Sequence, residues 1–232
     1  MGLSKQKNNQ IFPPENFEEL INRLNFIVGK SLTQLAESAN VPMPIDTLHG
    51  KGFAGELIEK CLGASAANQS IPDFPELGVE LKTIPVDDSL SPLESTFLCY
   101  APLNDIRHYT FESSPLYSKI TRVLFVLVRA SRDLDFNDRI VLGYFFYTPS
   151  IEELNILRND FNELYEMVKT GNIEKITARI GQIIQMRPKG ANGKVLTECI
   201  GPNGEIIRTR PRGFYMRRAY TKKLIQQNIL AH

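Results

Sequence analysis

The chain has 232 residues, 42% of them hydrophobic and 23% charged, with a formal net charge of +1; this is the profile of a globular protein with one fairly large domain or two small lobes. No apolar run reaches the roughly 18 residues of a membrane span, and the polar stretch Met1 to Gln10 lacks the apolar core of a signal peptide, so a cytoplasmic protein is expected. Three scattered cysteines outside any Cys-x-x-Cys pair argue against a disulfide framework or zinc site, and the absence of a Gly-x-Ser-x-Gly turn, a phosphate-binding glycine loop or a metal-spaced histidine pair removes the usual hydrolase and nucleotide-binding classes.

Residues 1–14 read as a flexible arm. Phe17, Leu20, Ile21, Leu24, Ile27 and Val28 recur at helical spacing and predict a helix over residues 15–28, and Ala54, Leu57, Ile58 and Cys61 predict a second over 52–62. In that second helix Glu56 and Lys60 form an ordinary i, i+4 pair, whereas Glu59 has glycine at both i±4 positions and borders the apolar face, which makes it the acid less easily explained.

Pro72-Asp73 follows, and then the alternating run Gly78-Val79-Glu80-Leu81-Lys82-Thr83-Ile84-Pro85. Alternation predicts a strand over 79–84 with Glu80 and Lys82 on one face and Val79 and Leu81 on the other. Pro72 holds Asp73 in an irregular segment whose carboxylate can bend back toward Glu80. Two carboxylates and a lysine in this order suit metal-dependent phosphodiester hydrolysis: Asp73, Glu80 and the backbone carbonyl of Leu81 are oxygen donors for hard Mg²⁺, and Lys82 can orient the attacking water or stabilise the oxyanion. So short a motif also arises by chance, and a salt bridge on a solvated strand is the alternative.

Further strands are predicted at 95–101, 120–128 and 139–147, giving a central sheet. Ser150 and Glu153 form a capping box that starts a long helix through Leu154, Leu157, Phe161, Leu164, Tyr165 and Val168, ending at Gly171. A helix near 173–180, a strand near 182–187 and a final helix from about Thr221 to Ala231 complete the chain. Between Gln185 and Lys223 stand ten Lys or Arg against two acids, a surplus of eight positive charges that leaves the rest of the chain with an excess of seven negative ones. The turn-rich loops of this segment, with Arg212-Gly213-Phe214-Tyr215 interleaving basic and aromatic residues, predict a surface for DNA, residues 185–223 forming the recognition segment; balancing an acidic neighbour is the alternative.

The order helix, strand with Glu80-x-Lys82, two strands, helix, strand resembles the restriction-endonuclease-like core. The strings Leu62-Gly63-Ala64-Ser65-Ala66, Leu77 to Val86, Lys175 to Arg179, Arg187-Pro188-Lys189 and Pro211 to Tyr215 resemble the MutH family of methyl-directed mismatch-repair endonucleases. The resemblance spans roughly residues 15–230. It implies an α/β fold with a mixed central sheet flanked by helices, in one nuclease domain whose two lobes clamp DNA. It implies Glu59, Asp73 and Glu80 at the Mg²⁺, Lys82 as catalytic lysine and Lys119 as a second lysine approaching the active site. Lys51 would touch a phosphate, Arg187 and Lys189 would read GATC, and Arg212 would belong to the same DNA-binding segment. Tyr215 would lie near the adenine whose methylation decides cleavage, unless it packs beside Phe214 in the core. The implied activity is nicking of the unmethylated strand at hemimethylated GATC sites by a monomer, activated by MutL after MutS has found a mismatch. A GATC-specific restriction enzyme of the same fold and a DNA-binding module without catalysis are the alternatives.

Overall fold

In the computed structural model the described residues are 11–44, 52–66, 71–104, 108–131, 134–190 and 194–229. Asn16 accepts the N–H of Glu19 and starts α1 (Phe17–Ile27), which buries Leu20, Leu24 and Ile27, each contributing about 1.5–3 kcal/mol. Ser31 and Gln34 form a capping box for α2 (Leu32–Ser38), a helix the sequence reading did not predict. The predicted 52–62 helix is present as α3 (Phe53–Leu62), burying Leu57, Ile58 and Leu62. Then come β1 (Glu80–Val86), β2 (Thr96–Tyr100), α4 (Pro115–Ile120), β3 (Val123–Arg129), β4 (Val141–Tyr147) and α5 (Ile151–Lys169). The capping box that opens α5 is formed as expected: Ser150 Oγ accepts Glu153 N–H at 3.2 Å and Ser150 N–H donates to Glu153 Oε2 at 2.9 Å. The remaining elements are β5 (Ile184–Pro188), β6 (Thr197–Ile200), β7 (Ile206–Thr209), β8 (Arg212–Met216) and α6 (Arg218–Asn228).

Several boundaries differ from expectation for local reasons. Pro115 at the first turn and Ser114 as N-cap take Ile120 into α4, so the strand predicted from 120 begins at Val123. The predicted helix at 173–180 is only a 3-10 turn, Ile173–Lys175. Beyond it the Arg217 guanidinium takes the carbonyls of Ala178 and Gly181 at 3.0 and 2.9 Å, so no continuing helix uses them. The Arg212-to-Tyr215 run read as a loop is the central strand of a sheet, and the Ile200-to-Gly204 turn joins two strands, β6 and β7, that were not predicted. The final helix begins at Arg218, three residues earlier than expected.

The chain divides into two compact units, Met1–Asp88 with Phe125–Tyr144, and Ser89–Leu124 with Phe145–His232. Most of the sheet ordered β1-β3-β4 belongs to the first unit, with Val123–Leu124 of β3 and Phe145–Tyr147 of β4 assigned to the second. The sheet's central strand β3 is apolar and buried from Val123 to Val128, as befits a strand covered on both faces. The second unit holds the antiparallel sheet β2-β8-β5 and the β6-β7 hairpin. One face of its three-stranded sheet is apolar: Phe214 lies against Phe161 and Tyr165 of α5, with ring centroids 5.8 and 6.2 Å apart. Cys99 and Cys199 are buried and Cys61 is intermediate, and all three are free thiols. No helix among the described residues is long and apolar enough to cross a membrane.

Candidate active site

In the first unit the segment between α3 and β1 folds back on itself. The N–H of Phe74 donates to Val79 O at 2.9 Å and that of Val79 to Phe74 O at 3.2 Å, an antiparallel bridge closed by the 3-10 turn Pro75–Leu77. Gly78 ends the turn at φ +62°, a conformation that glycine adopts without cost. The bend brings Asp73 to β1, where its Oδ2 accepts the N–H of Leu81 at 2.8 Å. β1 is the edge of its sheet, so this carboxylate satisfies a strand donor turned away from β3. The Asp73 carbonyl accepts the N–H of Ser65 at 3.0 Å, and Ala64 N–H donates to Glu59 O at 2.9 Å, tying the same segment to the end of α3.

On β1 the alternation places Glu80 and Lys82 together, and the Lys82 ammonium donates to Glu80 Oε1. Glu80 is only 1% exposed, so this is no pair on a solvated strand. A buried carboxylate is costly unless its charge is compensated. Glu59, half-buried on α3, completes the group: burial, then the negative charges of Asp73 and Glu80, push its carboxyl up to about 7, with Lys82 opposing. Glu59, Asp73, Glu80 and Lys82 therefore share one electrostatic cluster. Among the described residues no three His, Cys, Asp or Glu side chains form a ready-made metal cage. The donor set nevertheless suits a hard divalent cation: three carboxylates in low-exposure surroundings, one with its charged form disfavoured by like charges that a cation would relieve. Leu81, whose carbonyl is the further donor foreseen, is buried on the same strand.

Lys119 belongs to the second unit, in the last turn of α4, and is 8% exposed, so it is not a plain surface lysine. Lys51 lies outside the described residues.

Within the second unit, β5 and β8 pair in a register that sets Gln185 opposite Tyr215 and Arg187 opposite Gly213. Tyr215 points away from the core face that holds Phe214; its ring meets Phe97 edge-on at 5.3 Å and lies under the Arg187 guanidinium at 5.5 Å. Lys189 stands over the Phe97 ring at 4.7 Å, and Tyr100, 54% exposed, packs edge-on against Phe97 at 5.4 Å. Phe97 fits because residue 213 is glycine: a Cβ there would stand 2.7 Å from the ring. Sequence reasoning missed Phe97 and Tyr100 in this basic and aromatic face; an irregularity between Phe97 and Cys99 breaks the period-two pattern that would have shown them. Arg212, by contrast, is 5% exposed and donates to Glu174 Oε2 at 3.2 Å.

A family model described as "DNA mismatch repair enzyme MutH" matches residues 62–160. Proteins named "DNA mismatch repair protein MutH" are similar over almost the whole chain. That of Serratia proteamaculans (strain 568) is 43% identical over 216 residues, 93% of this chain and 95% of the relative. That of Shewanella sp. (strain ANA-3) is 42% identical over 217 residues, 94% and 97% of the two chains. That of Shewanella baltica (strain OS155) is 41% identical over 219 residues, 94% and 98%.

Proposed function

The chain belongs to the MutH family of DNA mismatch repair endonucleases, and from that premise we propose that it nicks the unmethylated strand at hemimethylated GATC sites by Mg²⁺-dependent hydrolysis. The observation that carries the hydrolytic part is the gathering of Glu59, Asp73, Glu80 and Lys82 around one point of the β1 edge. Glu59, Asp73, Glu80 and the Leu81 carbonyl would hold the cation. When bound, Mg²⁺ supplies an acidified water and neutralises charge on the phosphoryl oxygens.

The chain's own groups do the rest. Asp73, pinned by the Leu81 N–H, fixes one ligand direction relative to the strand, and Glu80, buried beside it, fixes a second. Lys82 presents its ammonium where it can orient the attacking water and donate to the oxyanion that develops on phosphorus. Arg187 and Lys189 contact the bases of GATC, since guanidinium and ammonium groups match the acceptors of guanine; Tyr215, held between Phe97 and Arg187, abuts the adenine edge where a methyl group would sit. The chain acts as a monomer, in the cytoplasm, and takes its signal from MutL, loaded by MutS at a mismatch.

The test is conversion of a supercoiled plasmid carrying GATC sites. One Glu-x-Lys set per chain predicts relaxed circles with Mg²⁺ and none with EDTA. Linear product as the first species would mark a double-strand restriction enzyme, and no product with bound DNA would mark a module without catalysis.

A further inference from the structure

Beside Pro188, whose neighbours Arg187 and Lys189 are assigned to the bases, the second unit carries a cavity of about 440 Å³ with Arg208, Thr209, Arg210, Arg212 and Glu174 in its walls. Three arginines against one glutamate leave it with an excess of positive charge. Glu174 is already engaged, accepting from Thr209 Oγ1 at 2.5 Å and from Arg212 Nη2 at 3.2 Å. Arg212 is 95% withdrawn from solvent by its 5% exposure, yet its Nε–H has no partner. A buried donor left unmade costs free energy that an acceptor in the cavity would return. Arg208 and Arg210 are exposed and form no ion pair among the described residues. Arg208 lies on β7, Arg210 in the short link to β8 and Arg212 at the start of β8, so three arginines from one stretch of chain line the cavity.

We infer that this cavity is a binding site for one backbone phosphate of DNA, next to the segment that reads the bases. Arg208 and Arg210 donate to the phosphate oxygens, and Arg212, locked by Glu174, supplies charge from the wall. Planar guanidinium forks suit a phosphodiester, which offers two unesterified oxygens. A phosphate contact carries no sequence information but fixes the register of a reading segment on the duplex; seated beside Pro188, it would set where Arg187 and Lys189 fall. The inference rests on the endonuclease reading and adds the site at which the strand is gripped.

The experiment is fluorescence anisotropy of the whole chain, without Mg²⁺, on a GATC duplex and on one of equal length lacking GATC, over a range of salt. The R208A/R210A double variant is expected to bind both duplexes less tightly by on the order of tenfold, with a salt slope shallower by about one. R208K/R210K keeps the charge and most of the affinity, whereas R187A loses affinity on the GATC duplex alone. Inorganic phosphate at constant ionic strength should compete with DNA for the wild type more than for the double variant. Far-UV circular dichroism melts confirm that the variants fold. Unchanged affinity and slope in the double variant, or a loss confined to the GATC duplex, overturns the assignment. Phosphate binding lost in the double variant with DNA binding intact makes the cavity a free-anion site and overturns it too. A wild type that binds neither duplex overturns the endonuclease reading itself, which separates the two failures.

Discussion

Asp73→Asn, Glu80→Gln and Lys82→Ala are each expected to lower the rate of nicking by a hundredfold or more while leaving DNA affinity near that of the unaltered chain. Removing a group that acts on developing charge commonly costs about 2.7–4 kcal/mol of barrier, whereas none of the three belongs to the basic segment that would hold the phosphate backbone. The two amide substitutions preserve shape. Asp73→Asn still leaves one oxygen for the Leu81 N–H at its 2.8 Å distance, so the strand edge keeps its partner and only the charge is lost. Lys82→Ala is the harder case, because it removes an ammonium partner of Glu80, which is 1% exposed, and a buried carboxylate that loses compensating charge destabilises. Rates are therefore to be measured in single turnover at a temperature where denaturation curves show each variant folded. Nicking by folded Lys82→Ala within a few-fold of the wild-type rate would remove this lysine from the chemistry.

Asp160→Ala is expected to lower the stability by about 3–5 kcal/mol, a large share of the 5–15 kcal/mol that usually holds a domain folded. Asp160 is a buried carboxylate on α5, 3% exposed, and accepts three successive backbone N–H groups: Gln182 at 2.8 Å, Ile183 at 2.7 Å and Ile184 at 3.0 Å. Alanine would leave the N–H groups of Ile183 and Ile184 buried without an acceptor, each costing about 1–3 kcal/mol. Asn retains one acceptor oxygen and should lose less. Urea denaturation gives both values, and a loss below about 1 kcal/mol for the alanine variant would show that these donors find other acceptors. Because β5 carries Arg187 three residues after the Gln182–Ile184 anchor, the same variant should lose preference for GATC wherever it remains folded.

What could be read from the sequence follows the physical range of each signal. Helices α1, α3 and α5 were legible because their apolar faces and caps are local; the Ser150 and Glu153 pair specified its own hydrogen bonds. The Glu80 and Lys82 pairing was legible because strand periodicity is two. Asp73 was legible as a residue that bends back, but the donor it meets, Leu81 N–H, depends on β1 being a sheet edge, which no local pattern reveals. β8 was misread because Arg212 masks a core strand: a charged residue signals solvent unless one knows that Glu174 will meet it. Asp160 was missed for the same reason, since it gains its role from residues more than twenty positions away, at Gln182–Ile184. Glu59 stood out through the glycines around it, its place beside the apolar face and the family resemblance, whereas its perturbed carboxyl comes from burial and three-dimensional neighbours.

The central claim is best tested by identifying which strand is cut in a hemimethylated duplex with a single GATC site, each strand bearing its own label, in the presence of Mg²⁺. Its two strands differ at that palindrome only in adenine N6, which offers two N–H donors when unmethylated and one when methylated. A lost or displaced contact at that edge costs about 1–3 kcal/mol, a roughly tenfold to hundredfold preference. The account predicts that the unmethylated strand alone is nicked to any extent, that fully methylated DNA resists, and that Tyr215→Ala narrows the difference between the strands. Equal cutting of both strands, or undiminished cutting of fully methylated DNA, would contradict it.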